Sequence, residues 1–226
     1  MKKQKNTRKT LDVDLHKIDR SIFRVSIFGS ARVKPNDEVY KMTVELAKKL
    51  AAEGCDIVTG GGPGLMEAAN KGHEEGRAKT KNKLSSIGLT IALPHEQKDN
   101  KHLDLHKNFQ HFSNRLDYFM TLSNAVVIMP GGVGTCLEFF YSWQLLQVQH
   151  ICPMPIILYG EMWGKLFDWV IDYPVRLGYL DGKEAKHLFY AKDEERVMTI
   201  LKNAQSAFKL EGASYCSNLD KYRLDA

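Results

Sequence analysis

Cysteine is scarce: the 226 residues hold four, Cys55, Cys136, Cys152 and Cys216, far apart and without a C-x-x-C pair. That usage fits reduced thiols in a cytoplasmic protein better than a disulfide scaffold or a zinc framework. No window approaches the ~20 apolar residues of a membrane span. The basic N-terminus runs into Leu11-Asp12-Val13-Asp14 and not into an apolar signal segment, so neither secretion nor a membrane partner is expected. Internal repeats and low-complexity tracts are also missing. With 43% apolar and 26% charged residues, the composition excludes a mainly disordered or collagen-like chain.

A strong charge excess is missing as well. The formal net charge is +5, and residues 1–24 supply it, with eight Lys/Arg against Asp12, Asp14 and Asp19. The rest of the chain balances its charges, which argues against a basic groove for a long nucleic acid. Against a typical domain of roughly 150 residues, the length predicts one large domain or two small ones; residues 1–20 read as a basic flexible tail and, with no sign of a second domain, 21–226 as a single domain.

What is present is alternation. Short β-rich runs at 24–29, 55–59, 87–93, 125–129 and 155–159 are separated by helical patterns at 37–53, 65–76, 113–122, 135–148 and 164–177. The polar stretch at 79–83 reads as a loop. Strand–helix alternation of this kind predicts an α/β fold: a Rossmann-like, doubly wound parallel sheet with helices on both faces. In such a sheet ligands bind at the carboxyl edge of the strands.

The strand exits are marked accordingly, by Gly29-Ser30-Ala31-Arg32, Gly60-Gly61-Gly62-Pro63-Gly64, Pro94-His95-Glu96 and Pro130-Gly131-Gly132-Val133-Gly134-Thr135. The last reads as a phosphate cradle, because glycines let backbone amides approach an anion and Thr135 adds a hydroxyl donor. Glu138, three residues on, either caps the helix or reaches the sugar of a bound nucleotide. Arg115 begins a helix at the same edge, where it either enters the site or pairs with Asp117 in solvent. Glu67 has two roles open to it, a helix cap or a ribose contact. Ser30 and Arg32 either contact base or phosphate or merely complete a turn.

The run 130–138 resembles the P-G-G-x-G-T-x-x-E signature of the LOG family, the cytokinin riboside 5′-monophosphate phosphoribohydrolases often labelled lysine decarboxylases. Gly29-Ser30-Ala31-Arg32, the run 59–69 and Asn114-Arg115 extend the resemblance over roughly residues 22–175. The resemblance implies a homodimer that cleaves the N-glycosidic bond of a nucleoside 5′-monophosphate without a metal or redox cofactor. Arg115 and Glu138 match the catalytic pair. Gly29, Ser30, Glu67, Pro130, Gly131, Gly132, Val133, Gly134 and Thr135 match substrate-binding positions. Leu116 in place of a lysine, and a shorter glycine loop carrying Glu67, look more like a bacterial branch, for which AMP or another ordinary nucleotide suits better than a cytokinin precursor.

An alternative is a non-catalytic binding protein resembling molybdenum-cofactor carriers. A pyridoxal-phosphate lysine decarboxylase would need an aldimine lysine, and no lysine stands in a convincing context. His102, His106 and His111 read as surface or pocket-rim residues, the first two on one helical face. The helix over 135–148 is apolar on more than one face, and either the core or a symmetric interface would bury it.

Overall fold

The computed structural model describes residues 11–78, 83–92 and 99–222. Eight strands form one sheet in the order β1-β5-β4-β3-β2-β6-β7-β8, and every neighbouring pair is parallel. They are β1 (Leu11–Asp12), β2 (Arg24–Phe28), β3 (Asp56–Thr59), β4 (Ser86–Ile91), β5 (Leu105–Phe109), β6 (Ala125–Ile128), β7 (Ile156–Tyr159) and β8 (Leu188–Ala191). The helices are α1 (Glu38–Ala52), α2 (Leu65–Arg77), α3 (Phe112–Leu122), α4 (Val133–Gln147), α5 (Gly164–Val170), α6 (Glu194–Glu211) and α7 (Asn218–Lys221).

Side chains alternate across a strand, so each buried strand feeds two cores. Val25, Ile27, Ile57, Val127 and Ile157 pack beneath α1, α2 and α6. Phe28, Val58, Ile128 and Leu158 pack on the opposite face with Phe119 of α3 and Phe139 and Trp143 of α4. A parallel sheet covered on both faces favours continuous apolar runs, which is why β2, β3, β6 and β7 are fully buried.

The doubly wound fold agrees with the sequence reading, and five strands and five helices stand where the patterns put them. Part of the segment read as a flexible tail, from residue 11 on, is ordered. Leu11–Asp12 pairs with β5, Val13 is buried, and its amide donates to the His106 carbonyl at 3.0 Å. The sheet thus takes in residue 11 onward because β5 would otherwise present an open edge. Residues 1–10, most of the 79–83 loop and Pro94-His95-Glu96 lie outside the described residues.

Two further expectations are corrected. Cys152 and Cys216 form a disulfide with Cα atoms 5.7 Å apart, tying the start of β7 to the segment before α7. Only Cys55 and Cys136 are free, so the all-reduced reading, which supported a cytoplasmic location, fails for this pair. The helical face drawn through His102 and His106 does not exist, because His106 lies in β5. His102 Nδ1 instead stands 2.5 Å from Glu74 and His106 Nδ1 3.7 Å from Asp99.

Candidate functional site

The order of the sheet reverses at β2: the chain moves outward through β3, β4 and β5, then returns to place β6 on the other side of β2. Loops leaving β2 and β6 part company at such a switch point and leave a crevice at the carboxyl edge. A cleft of about 560 Å³ occupies it. Its walls come from Gly29–Arg32 after β2, from Gly60, Gly62 and Met66 after β3, and from Gly132–Thr135 with Glu138 after β6; Thr90, Asp99, Phe112 and Arg115 complete it.

Two loops are bonded together at its base. The Ser30 amide donates to the Pro130 carbonyl at 3.1 Å, and the Leu65 amide donates to the Ser30 carbonyl at 3.0 Å. These bonds hold the starts of α2 and α4 against the end of β2. The N-terminus of α4, whose free amides form an anion-binding end, opens onto the cleft.

The glycines of this loop divide by purpose. A Cβ on Gly131 would collide with the Thr135 side chain, so its smallness serves internal packing. At Gly132 and Gly134 a Cβ would meet no protein atom within 4 Å, and neither has a positive φ. Both line the cleft, where a Cβ would project into open space.

Arg115 and Glu138 meet at the floor. Arg115 lies in the first turn of α3, whose start abuts the carboxyl edge, and Glu138 lies in the second turn of α4. Arg115 Nη1 is 3.5 Å from Glu138 Oε1, with the two side chains only 9% and 13% exposed. Arg115 Nε donates to the Leu89 carbonyl at 2.6 Å, and its guanidinium lies 5.3 Å above the Phe119 ring. Burial pushes the Glu138 carboxyl up to about 7, and the Arg115 cation restrains that rise. Burial likewise lowers Arg115 from its ordinary value, opposed by Glu138, and the guanidinium remains a cation. The pair therefore sets a carboxyl that exchanges its proton near neutrality beside a fixed positive charge.

The bland alternatives for both residues fail on geometry. Asp117 is engaged by Tyr141 and Tyr222, so Arg115 does not use it. Helix α4 begins at Val133, two residues earlier than its pattern suggested, which carries Glu138 beyond the reach of a cap.

The structure brings Gly29, Ser30, Gly132, Val133, Gly134 and Thr135 to the cleft with Arg115 and Glu138. Pro130 and Gly131 sit behind that lining. Glu67 is not among the residues that line the cleft; its charge acts on Tyr40 of α1, and the neighbouring Met66 turns inward instead. The helical phase set by Leu65 at the start of α2 decides this, since adjacent residues point about 100° apart. Thr90, Asp99 and Phe112 also line the cleft. Thr90 near the end of β4 and Phe112 at the start of α3 carry a topological signal, whereas Asp99, between β4 and β5, carries none.

Among the described residues, none lining the cleft is a lysine, and no three His, Cys, Asp or Glu side chains gather where they could hold a metal ion. Among them too, no helix is long and apolar enough to cross a membrane.

Comparison with known proteins follows the same lines. The chain is 27% identical over 194 residues to the pyrimidine/purine nucleotide 5′-monophosphate nucleosidase of Escherichia coli K12, and equally to that of Escherichia coli O157:H7. The match covers 82% of this chain, which spans 37% of the length of those curated relatives. Among solved structures, the molybdenum cofactor carrier protein of Chlamydomonas reinhardtii superposes with a TM-score of 0.58 at 22% identity, covering 82% of this chain and 99% of that one. The molybdenum cofactor binding protein of Rippkaea orientalis gives 0.57 at 19% identity, over 80% and 95%. At these identities the likeness is one of fold. The family described as possible lysine decarboxylase matches residues 66–201, a stretch that contains Arg115, Glu138 and the whole glycine signature between them, and the chain belongs to that family, the LOG family.

Proposed function

We propose that this chain hydrolyses the N-glycosidic bond of a nucleoside 5′-monophosphate, releasing the free base and ribose 5-phosphate. The observation that carries this reading is the buried Arg115–Glu138 pair, 3.5 Å apart, on the floor of a cleft whose mouth is the bare N-terminus of α4. The nucleosidase activity named for the Escherichia coli relatives supports it. Phosphate binds to the amides of residues 132–135, which fixes the ribose over Glu138. As the C1′–N bond lengthens, positive charge grows on the sugar, and the ionised Glu138 carboxylate opposes it or takes a proton from the attacking water. Water forms the new C1′–O bond, the electron pair of the broken bond leaves with the base, and a proton returns to that base. Arg115 holds Glu138 ionised and orients the phosphate or the departing base.

The substrate favoured by this site is an ordinary nucleotide such as AMP. Purified protein incubated with a panel of nucleoside monophosphates, including an isopentenyl-adenine one, releases base and ribose 5-phosphate in chromatographic assay, and Glu138→Gln and Arg115→Ala abolish that release. Binding without release from any nucleotide overturns the reading in favour of a carrier. For a carrier, the support is the shared fold alone.

A homodimer belongs to the same proposal. Val133, Leu137 and Phe140 are exposed along α4 at intervals of four and three residues, which places them on one helical face, and Val148 is exposed just past its end. A second copy covers that stripe and lies beside the cleft, to which Val133 also contributes.

A further inference from the structure

Glu67 is not among the residues that line the cleft, so the contact with the ribose hydroxyls is open to another group. Among the described residues lining the cleft, the carboxylates are Glu138 and Asp99. Glu138 is sunk beside Arg115 at the floor, whereas the Asp99 side chain is 42% exposed, on the wall that follows β4. We infer that Asp99 accepts hydrogen bonds from the ribose 2′- and 3′-hydroxyls and makes the site selective for ribonucleotides over 2′-deoxyribonucleotides, an inference that rests on the proposed nucleotide substrate.

Asp99 is held ready for this by its neighbour. The Asn100 amide donates to the Gly61 carbonyl at 2.9 Å. Its side-chain Nδ2 donates to the Gly61 and Gly62 carbonyls at 3.0 and 3.1 Å and to Asn70 Oδ1 at 2.9 Å. Its Oδ1 accepts from the His102 amide at 3.1 Å. Asn70 is itself locked inside the fold, accepting from Thr59 Oγ1 at 2.8 Å and donating to Ser86 Oγ at 2.7 Å. The backbone that carries Asp99 is thereby bolted to the glycine turn after β3, itself part of the cleft wall through Gly60 and Gly62.

The chemistry of the acceptor suits a sugar edge. An ionised carboxylate offers two oxygens that accept and none that donate, matching two adjacent hydroxyls, and hydrogen bonds to a charged partner are the strong ones. Among the described residues, His106 on β5 stands 3.7 Å from Asp99 Oδ2, and Asp99 also lines the cleft. Asn100 acts through Asp99 as a positioning residue.

The test is calorimetric titration of the full chain with ribose 5-phosphate and with 2-deoxyribose 5-phosphate, which does not depend on turnover. Wild type binds the ribose compound about 10- to 100-fold more tightly, the range expected for one hydrogen bond to a charged group. Asp99→Ala brings the ratio to about one, weakening ribose 5-phosphate by two hydrogen bonds and 2-deoxyribose 5-phosphate, which keeps its 3-hydroxyl, by one, and His106→Gln leaves the ratio as in wild type. Equal affinities in wild type, or a preference that survives in Asp99→Ala, overturn the inference. Where AMP is turned over, its advantage over 2′-deoxy-AMP in kcat/KM collapses in the same variant. A wild type that releases no base yet shows the Asp99-dependent preference upholds this inference while the hydrolase reading falls.

Discussion

Arg115 reaches Glu138 across 3.5 Å while its Nε is spent on the Leu89 carbonyl, so one guanidinium fastens α3 to the end of β4 and charges the floor of the cleft. The carboxylate it faces cannot relax toward water without leaving the cation.

The rate of base release follows from that pairing. The Glu138 carboxyl stands at about 7 and acts as the ionised form, so kcat/KM rises with pH up to about 7 and then levels. Replacing Arg115 with methionine removes the group that lowers Glu138, and the midpoint of any residual activity moves to higher pH. A profile that falls on passing through pH 7 assigns the carboxyl as a proton donor instead.

Gly60 is the position where a single methyl tests the same geometry. Its Cβ would overlap Arg115 Nη2 and come within 2.5 Å of Met66 Sδ. Gly60→Ala therefore displaces the guanidinium and reduces kcat/KM by about 10- to 100-fold, a typical result of misplacing a positioned group by an ångström. Circular dichroism of the variant stays close to wild type, because Gly60 has an ordinary negative φ or extended backbone and no strain is added.

Oligomeric state answers to the α4 stripe. Phe140→Glu places a charge in the face shared by Val133 and Leu137, and light scattering then reports a monomer where wild type gives a dimer. A wild-type monomer removes the dimer from the proposal.

Stability responds to pH through His73. Its ring is fully buried, with Nε2 at 2.9 Å from the Cys55 carbonyl, and burial holds it down at about 4 against an ordinary 6.5. The unfolded chain therefore binds a proton that the folded chain refuses, and stability falls as pH drops from about 6.5 to 4, by up to about 3 kcal/mol from this group. Asp56, lifted to about 6 mainly by burial, acts in the opposite sense: its share is lost as pH rises from about 4 to 6. Urea titrations of wild type and His73→Gln between pH 4 and 7 separate the two, the variant showing the shallower loss on acidification.

The disulfide gives a thermal signature. It closes a loop spanning 64 residues, for which chain entropy alone predicts up to about 4 kcal/mol of stabilisation. Cys152→Ser lowers the melting temperature, and dithiothreitol lowers wild type to the same value while leaving the variant unchanged.

How much of this was legible depends on where the deciding force acts. Strands β2, β3, β6 and β7 declare themselves because burial on both faces favours short runs rich in Val and Ile. Strand β5, Leu-His-Lys-Asn-Phe, carries no such pattern and exists through its pairing with β1 and β4. Helix α6 did have a local signal, Asp193 capping the Arg196 amide at 2.8 Å ahead of an amphipathic run, and went unread. The glycine signature, Arg115 and Glu138 were readable because bare loops and charges at strand exits have few other uses. Helical phase puts Met66 and not Glu67 in the cleft lining, and the Cys152–Cys216 bond joins segments whose proximity only the finished fold creates. Asp99 gave no warning, since what sets it is the clamp that Asn100 makes with a turn some forty residues earlier.

The return of the chain to β2 also dictates when the site comes into being. Strand β2 is made early, yet one of its flanks stays open until β6 arrives about one hundred residues later to pair Val25 with Ala125 and Phe28 with Ile128. Until then the loop after β2 lacks the Pro130 carbonyl that its Ser30 amide bonds, and the open flank is a template for another chain. A nascent or truncated chain ending before residue 125 thus lacks the α4 wall of the cleft and is prone to aggregate, and the closed sheet and the complete cleft are acquired in the same pairing step.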